Sequence, residues 1–331
     1  MIKAKYLEYL RKNPQKTLPI FTYPVASSLG INPYDLTVDP IKHAKVVKYI
    51  DVLSDFGFAI GLMDLSIEAE AFGCPLDIDG INLPGIGPKI IESLNEAKIL
   101  NIPEIKRFRT RVYIDSIRNI KTLVKDKPVL ATVISPFTLA GILLGFDEIN
   151  EHLKNNHEII YPIIEKASLF LKSYYKELLD AGADGLFICD SISGILDHSN
   201  FDQFSTIFLN QIVDEFDEEK YIVYHNCGDV MNTIENIKNI HADIFHFGDC
   251  NDIEMILKTF PKNKLVMGNI SPIDIFKKKN HRKVERATHS LLKKCSEYDN
   301  FLISPGCDLP GDIPFEKVVS YLKAIEKFYT K

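Results

Sequence analysis

Apolar residues along this chain follow two alternating rhythms. Short continuous apolar runs, such as Val129-Leu130-Ala131-Thr132-Val133-Ile134, read as strands covered on both faces. Between them lie longer stretches in which apolar residues recur every three or four positions, as in Val46, Val47, Ile50 and Leu53. That spacing predicts amphipathic helices. The apolar runs place strands at 18–25, 58–66, 128–136, 183–190, 221–227, 242–248, 264–268 and 301–304. Helical patterns fall at 3–13, 40–56, 103–125, 157–181, 201–216, 230–239, 251–260, 280–296 and 314–329.

Strands that alternate with helices predict a parallel α/β fold. An eight-stranded barrel needs about 250 residues. A chain of 331 residues therefore has room for an N-terminal extension and for an insertion at 67–127, after the second strand. The expected architecture is a (β/α)8 TIM barrel forming a single domain over 1–331, with a doubly wound open sheet as the competitor. The barrel is favoured because polar residues gather just beyond the strand C-termini: Asp64, Ser135, Asp190, His225, Cys227, Asp249, Asn269 and Cys307. Barrel active sites are built there.

Composition narrows the function classes. The chain is 46% hydrophobic and 25% charged, with a net charge of −6. No long basic run is present, so nucleic-acid binding has no electrostatic support. Leu83-Pro84-Gly85-Ile86-Gly87-Pro88-Lys89 resembles a DNA-binding hairpin turn, but it occurs once, without basic flanks, and is read as a surface turn. No stretch approaches 18 uninterrupted apolar residues, so no membrane span is expected. Six cysteines, unclustered and without a signal sequence at the start, point to a reducing cytoplasm.

The strongest chemical signal is Tyr224-His225-Asn226-Cys227-Gly228. His225 and Cys227 are two residues apart, so at a strand end both side chains leave the same face. Cys307, in Ser304-Pro305-Gly306-Cys307-Asp308-Leu309-Pro310, completes a set of one imidazole and two thiols. For zinc, three protein ligands with an open fourth position mark a catalytic rather than a structural site. The plain alternative is a strand-end histidine and two core cysteines, since free Cys packs as a small apolar residue. Asp249 is a candidate labile ligand, a carboxylate orienting a ligand, or an N-cap for the helix at 251–260. His246 and Cys250 are lesser candidates for the metal, and Cys74, Cys189 and Cys295 are read as structural.

These pieces resemble the uroporphyrinogen decarboxylase superfamily, and within it the zinc-dependent methylcobamide:coenzyme M methyltransferase branch. The resemblance rests on Met63-Asp64-Leu65-Ser66-Ile67-Glu68-Ala69-Glu70-Ala71-Phe72-Gly73 and Ser135-Pro136-Phe137-Thr138-Leu139-Ala140-Gly141. It rests also on His225-Asn226-Cys227-Gly228, Gly268-Asn269-Ile270-Ser271-Pro272 and Gly306-Cys307-Asp308-Leu309-Pro310. The decarboxylase branch carries an Arg-rich N-terminal motif; here that region reads Phe21-Thr22-Tyr23-Pro24-Val25-Ala26, without Arg.

The resemblance implies a barrel with Zn2+ on His225, Cys227 and Cys307, and a substrate pocket drawing on Asp64, Ser135, Asp190 and Asn269. It implies methyl transfer from a methylated corrinoid protein to a thiol, with coenzyme M as the first candidate. Tetrahydrofolate is the alternative acceptor, and metal-free decarboxylation is the alternative chemistry.

Overall fold

In a computed structural model, residues 3–330 are described, and the sheet they form is parallel throughout. Its seven strands stand in chain order: β1 (Ala59–Ile60), β4 (Val129–Ile134), β5 (Gly185–Cys189), β6 (Tyr221–Asn226), β7 (Ile244–Phe247), β8 (Leu265–Ile270) and β9 (Phe301–Pro305). β2 (Leu76–Asp77) and β3 (Gly85–Ile86) form a separate antiparallel ribbon inside the insertion. The Leu83–Lys89 turn is thus part of that ribbon.

The strands are buried almost end to end, which explains their continuous apolar runs. Each buried Val, Leu, Ile or Phe contributes about 1.5–3 kcal/mol. Helices cover the outer face. The helix Ile160–Asp180 buries Ile160, Ile163, Ile164, Ala167, Leu171, Tyr174, Tyr175 and Leu178, one stripe at helical spacing. Tyr175 pins it to the sheet by donating its hydroxyl to the Ile134 carbonyl.

Seven strands are paired where eight were expected. Residues 18–25 do not form a strand. Thr22–Ser28 is a helix, and Leu18, Ile20 and Phe21 are buried without entering a ladder. The reason is local. Pro19 and Pro24 have no N–H to give a ladder, whereas Pro24 sits in the first turn of the helix, where an N–H would have no intrahelical partner anyway. The segment still occupies the expected place between the two ends of the sheet. The Thr17 carbonyl accepts from Gly57 N, just before β1, at 3.3 Å, and the Thr17 hydroxyl donates to the Ile303 carbonyl on β9. The architecture is therefore a TIM-barrel-like α/β fold in which two hydrogen bonds from Thr17, one residue before this segment, stand where the eighth strand was expected. Among the described residues, no helix is long and apolar enough to cross a membrane.

Candidate functional site

β6 ends at Asn226, and parallel pairing sets His225 beside Cys189 on β5 and His246 on β7. Beyond the strand, Cys227 leaves on the same face as His225. Cys307 follows the end of β9 at the same end of the sheet. The structure brings the three together: one donor atom from each of His225, Cys227 and Cys307 lies within 4.8 Å of the others. Cys307 Sγ is 3.6 Å from His225 Nε2. His225 is buried, its ring stacked on Phe187 with centroids 5.3 Å apart, while both thiols are partly exposed.

Two glycines let these loops close up. A Cβ on Gly248 would lie 2.7 Å from Cys227 Cα, and one on Gly306 would lie 2.8 Å from Asp249 N. Any side chain there would push the Cys227 and Cys307 loops away from the β7 end.

The two thiols shift each other in opposite directions. The neighbouring Cys307 thiol holds Cys227 well below the ordinary thiol range, and Cys227 together with burial holds Cys307 above it. The Ser191 hydroxyl adds to the stabilisation of the Cys227 thiolate. A thiolate, a second thiol and an imidazole nitrogen are the donors a soft divalent cation prefers, and the thiolate is the form that binds metal. Cys74 and Cys295 are buried away from this set, and Cys189 is buried at the register position beside His225; burial pushes each thiol up, Cys74 to about 11 and Cys295 to about 12.

The other expected site residues divide. Asp64 borders a cavity of about 480 Å³ with Tyr23, Met63, Ser66 and Asp308. Asp308 adjoins Cys307, and its carboxyl is pushed up to about 7 by burial, against the stabilising Leu309 N–H. Asp64 is nearly buried and tied down by Arg109 Nη1 at 2.5 Å, Tyr113 Oη at 2.8 Å and Ser66 N at 2.9 Å. Arg109 and Tyr113 lie 45 and 49 positions further on. No local pattern pointed to them.

Ser135 and Asp190 do not reach the cavity. Ser135 caps the helix Pro136–Leu144 by accepting from Thr138 N at 3.1 Å, and donates to Asp190. Asp190 is fully buried and also accepts from Ser205 at 2.6 Å and Tyr224 at 3.1 Å. Asn269 spends its amide on the carbonyls of Gly248, at 2.9 Å, and Asn251, at 2.8 Å, stitching the β7 end to β8. A substrate pocket built on Ser135 and Asp190 is corrected to a scaffold, because their oxygens are buried and already committed to the chain, whereas Asn269 is half-buried and commits its amide N–H groups.

Asp249 does not cap the following helix. That helix, Ile253–Thr259, is capped by Asp252, which accepts from Glu254 N at 3.1 Å. Asp249 is exposed against the Cys307 loop. Cys250 is exposed as well, and its S–H points to the Cys227 carbonyl at 3.3 Å. His246 lies behind His225, the two Nδ1 atoms 2.7 Å apart, on the side away from the sulfurs.

A parallel α/β barrel-like fold that gathers an imidazole and ionisable thiols at the C-terminal ends of its strands is the setting of an enzyme active site. The chain belongs to the uroporphyrinogen decarboxylase (URO-D) family, whose model matches residues 30–328. Among its relatives is the methylcobamide:CoM methyltransferase MtbA of Methanosarcina acetivorans, 22% identical over 94% of each chain. A uroporphyrinogen decarboxylase of Orientia tsutsugamushi is 24% identical over 90% of this chain and 87% of its own. A solved methyltransferase structure from Methanosarcina mazei superposes with a TM-score of 0.83 over 99% of both chains at 18% identity, a likeness of fold.

Proposed function

We propose that this protein is a methyltransferase that moves a methyl group from a methylated corrinoid, carried by a partner protein, to a thiol, with Zn2+ held by His225, Cys227 and Cys307. The observation that carries this reading is the convergence of those three donors, within 4.8 Å of one another, at the open end of the sheet. The relatives named as methylcobamide:CoM and methylated-thiol:coenzyme M methyltransferases support the same chemistry. Coenzyme M is the first candidate acceptor.

A thiol attacks poorly until it is ionised. Zinc in this donor set supplies the Lewis acidity that keeps an acceptor thiol as thiolate at neutral pH. The acceptor sulfur then forms a bond to the methyl carbon. The cobalt–carbon bond breaks with its electron pair left on cobalt, so Co(III) becomes Co(I), and the thiol proton goes to solvent. The chain's own work is to hold the Cys227 sulfur ionised and to leave the sheet mouth open for a corrinoid too large to enter it. Asp64 and Asp308 line the adjoining cavity, where the acceptor's tail would lie.

Decarboxylase relatives keep a second reading in view. It is disfavoured by the Arg-free stretch Phe21–Ala26, which is buried here.

The test is elemental analysis followed by assay. The protein should bind about one zinc, and Cys227→Ala and Cys307→Ala should lose it. Mixed anaerobically with methylcobalamin or a methylated corrinoid protein and coenzyme M, the loaded protein should produce Co(I). Homocysteine and tetrahydrofolate are run alongside; activity with tetrahydrofolate alone would overturn the thiol acceptor. Full zinc in both variants would sink the metal assignment, and decarboxylation of uroporphyrinogen without methyl transfer would replace the whole reading.

A further inference from the structure

His246 is fully buried behind the metal-site imidazole and makes three polar contacts through its ring nitrogens. Its Nε2 lies 2.9 Å from the Pro305 carbonyl and 3.1 Å from Ser304 Oγ. Its Nδ1 lies 2.7 Å from His225 Nδ1. We infer that His246 is a positioning residue. By accepting the Nδ1–H of His225, it holds that imidazole in the tautomer whose bare Nε2 faces the two cysteine sulfurs.

The argument runs atom by atom from the backbone inward. A carbonyl oxygen only accepts, so the contact with Pro305 puts a proton on His246 Nε2. His246 is fully buried and none of its hydrogen-bond partners is a carboxylate, so nothing beside it would compensate a positive charge. The ring is neutral, and Nδ1 carries a lone pair. Two nitrogens 2.7 Å apart need one proton between them, and His225 Nδ1 must supply it. The second possible acceptor for that proton, the His246 carbonyl at 3.3 Å, requires the same protonation of His225 Nδ1. A neutral His225 then has its lone pair on Nε2, the atom 3.6 Å from Cys307 Sγ. Partners of this kind fix the tautomer and direction of metal-bound histidines. Here the relay ends on Pro305, two residues before Cys307, so the imidazole and one thiol loop are referenced to the same point of β9.

The inference rests on the metal reading above but fails separately from it. Zinc affinity is measured by competition with a chromophoric chelator for the wild type, His246→Leu and His246→Asn. His246→Leu offers no acceptor, and its zinc Kd should rise about 10- to 100-fold. His246→Asn places an oxygen near the position of Nδ1 and should recover most of the loss. A purely structural role would not give that rescue.

The second readout needs no variant. In 15N-histidine-labelled wild-type protein loaded with 113Cd, NMR should show cadmium coupled to His225 Nε2 and an N–H···N coupling between the two imidazoles. This keeps the inference testable if His246→Leu does not fold. Wild-type protein that binds neither ion overturns the metal site itself. Wild-type binding with equal affinity in His246→Leu, or cadmium on His225 Nδ1, overturns this inference alone.

Discussion

The two faces of β6 carry two polar clusters of opposite character. On one face, Tyr224 and Asn226 join a closed network around Asp190. Four hydroxyl groups, from Ser135, Thr138, Ser205 and Tyr224, donate to its carboxylate. Asn226 extends it, donating to Ser193 at 2.8 Å and accepting from Gly228 N at 2.8 Å. On the other face, His225 and Cys227 meet Cys307 with thiols that are partly exposed, the Cys227 thiol held well below its ordinary range. Residues adjacent in sequence thus serve different ends. The satisfied cluster holds the loop still, while the unsatisfied one keeps donor capacity that the chain does not use. Burial with full hydrogen bonding marks scaffold; exposed, ionisable, under-partnered atoms mark a site.

The sharpest way to break this contrast is to unpair the scaffold. Asp190→Ala leaves four buried donors without an acceptor and should cost roughly 3 kcal/mol or more. Urea unfolding checks it, and a variant as stable as the parent would mean that the network is not structural. Asp190→Asn, which keeps one acceptor oxygen, should lose less.

Glu68 sharpens the comparison from the scaffold side. It is fully buried, accepts from Ile134 N at 3.1 Å through Oε1, and has no partner for Oε2. Burial raises its carboxyl from 4.5 to about 8. The folded protein therefore holds a proton that the unfolded chain releases above pH 4.5. The stability tied to that proton is fully present below 4.5 and is lost as pH rises to about 8. The slope should be up to about 1.4 kcal/mol per pH unit. Glu68→Gln should remove this slope from the unfolding midpoint measured across that range. An unchanged pH profile would show that Glu68 is ionised in the folded state.

Cys227→Ala and Cys307→Ala probe the other face. In metal-free protein each should alter stability by no more than about 1 kcal/mol while abolishing zinc binding. If either unfolds the protein, the thiols belong with the scaffold. The smallest effect is expected at Asp249. Exposed beside the Cys307 loop, Asp249→Ala should stay within about 0.5 kcal/mol of the parent in unfolding. It should keep most of its zinc and change thiol binding or rate. Zinc loss as complete as in the cysteine variants would make Asp249 a full ligand.

Sequence periodicity by itself determined the alternation of apolar strands and amphipathic helices, because side-chain direction repeats within a few residues. It also put His225 and Cys227 on one face, since strand side chains alternate by two. What only the tertiary structure decided were pairings between distant positions. Register set His246 behind His225. Packing delivered Arg109 and Tyr113 to Asp64, and turned Asp190 from an expected pocket residue into a buried acceptor. Hydrogen-bond partners far apart in the chain leave no local trace, because what selects them is which groups burial strands together. The missing first strand failed for the converse reason. Its apolar run was legible, but Pro19 and Pro24 withheld the donors a ladder needs, and burial alone does not make a strand.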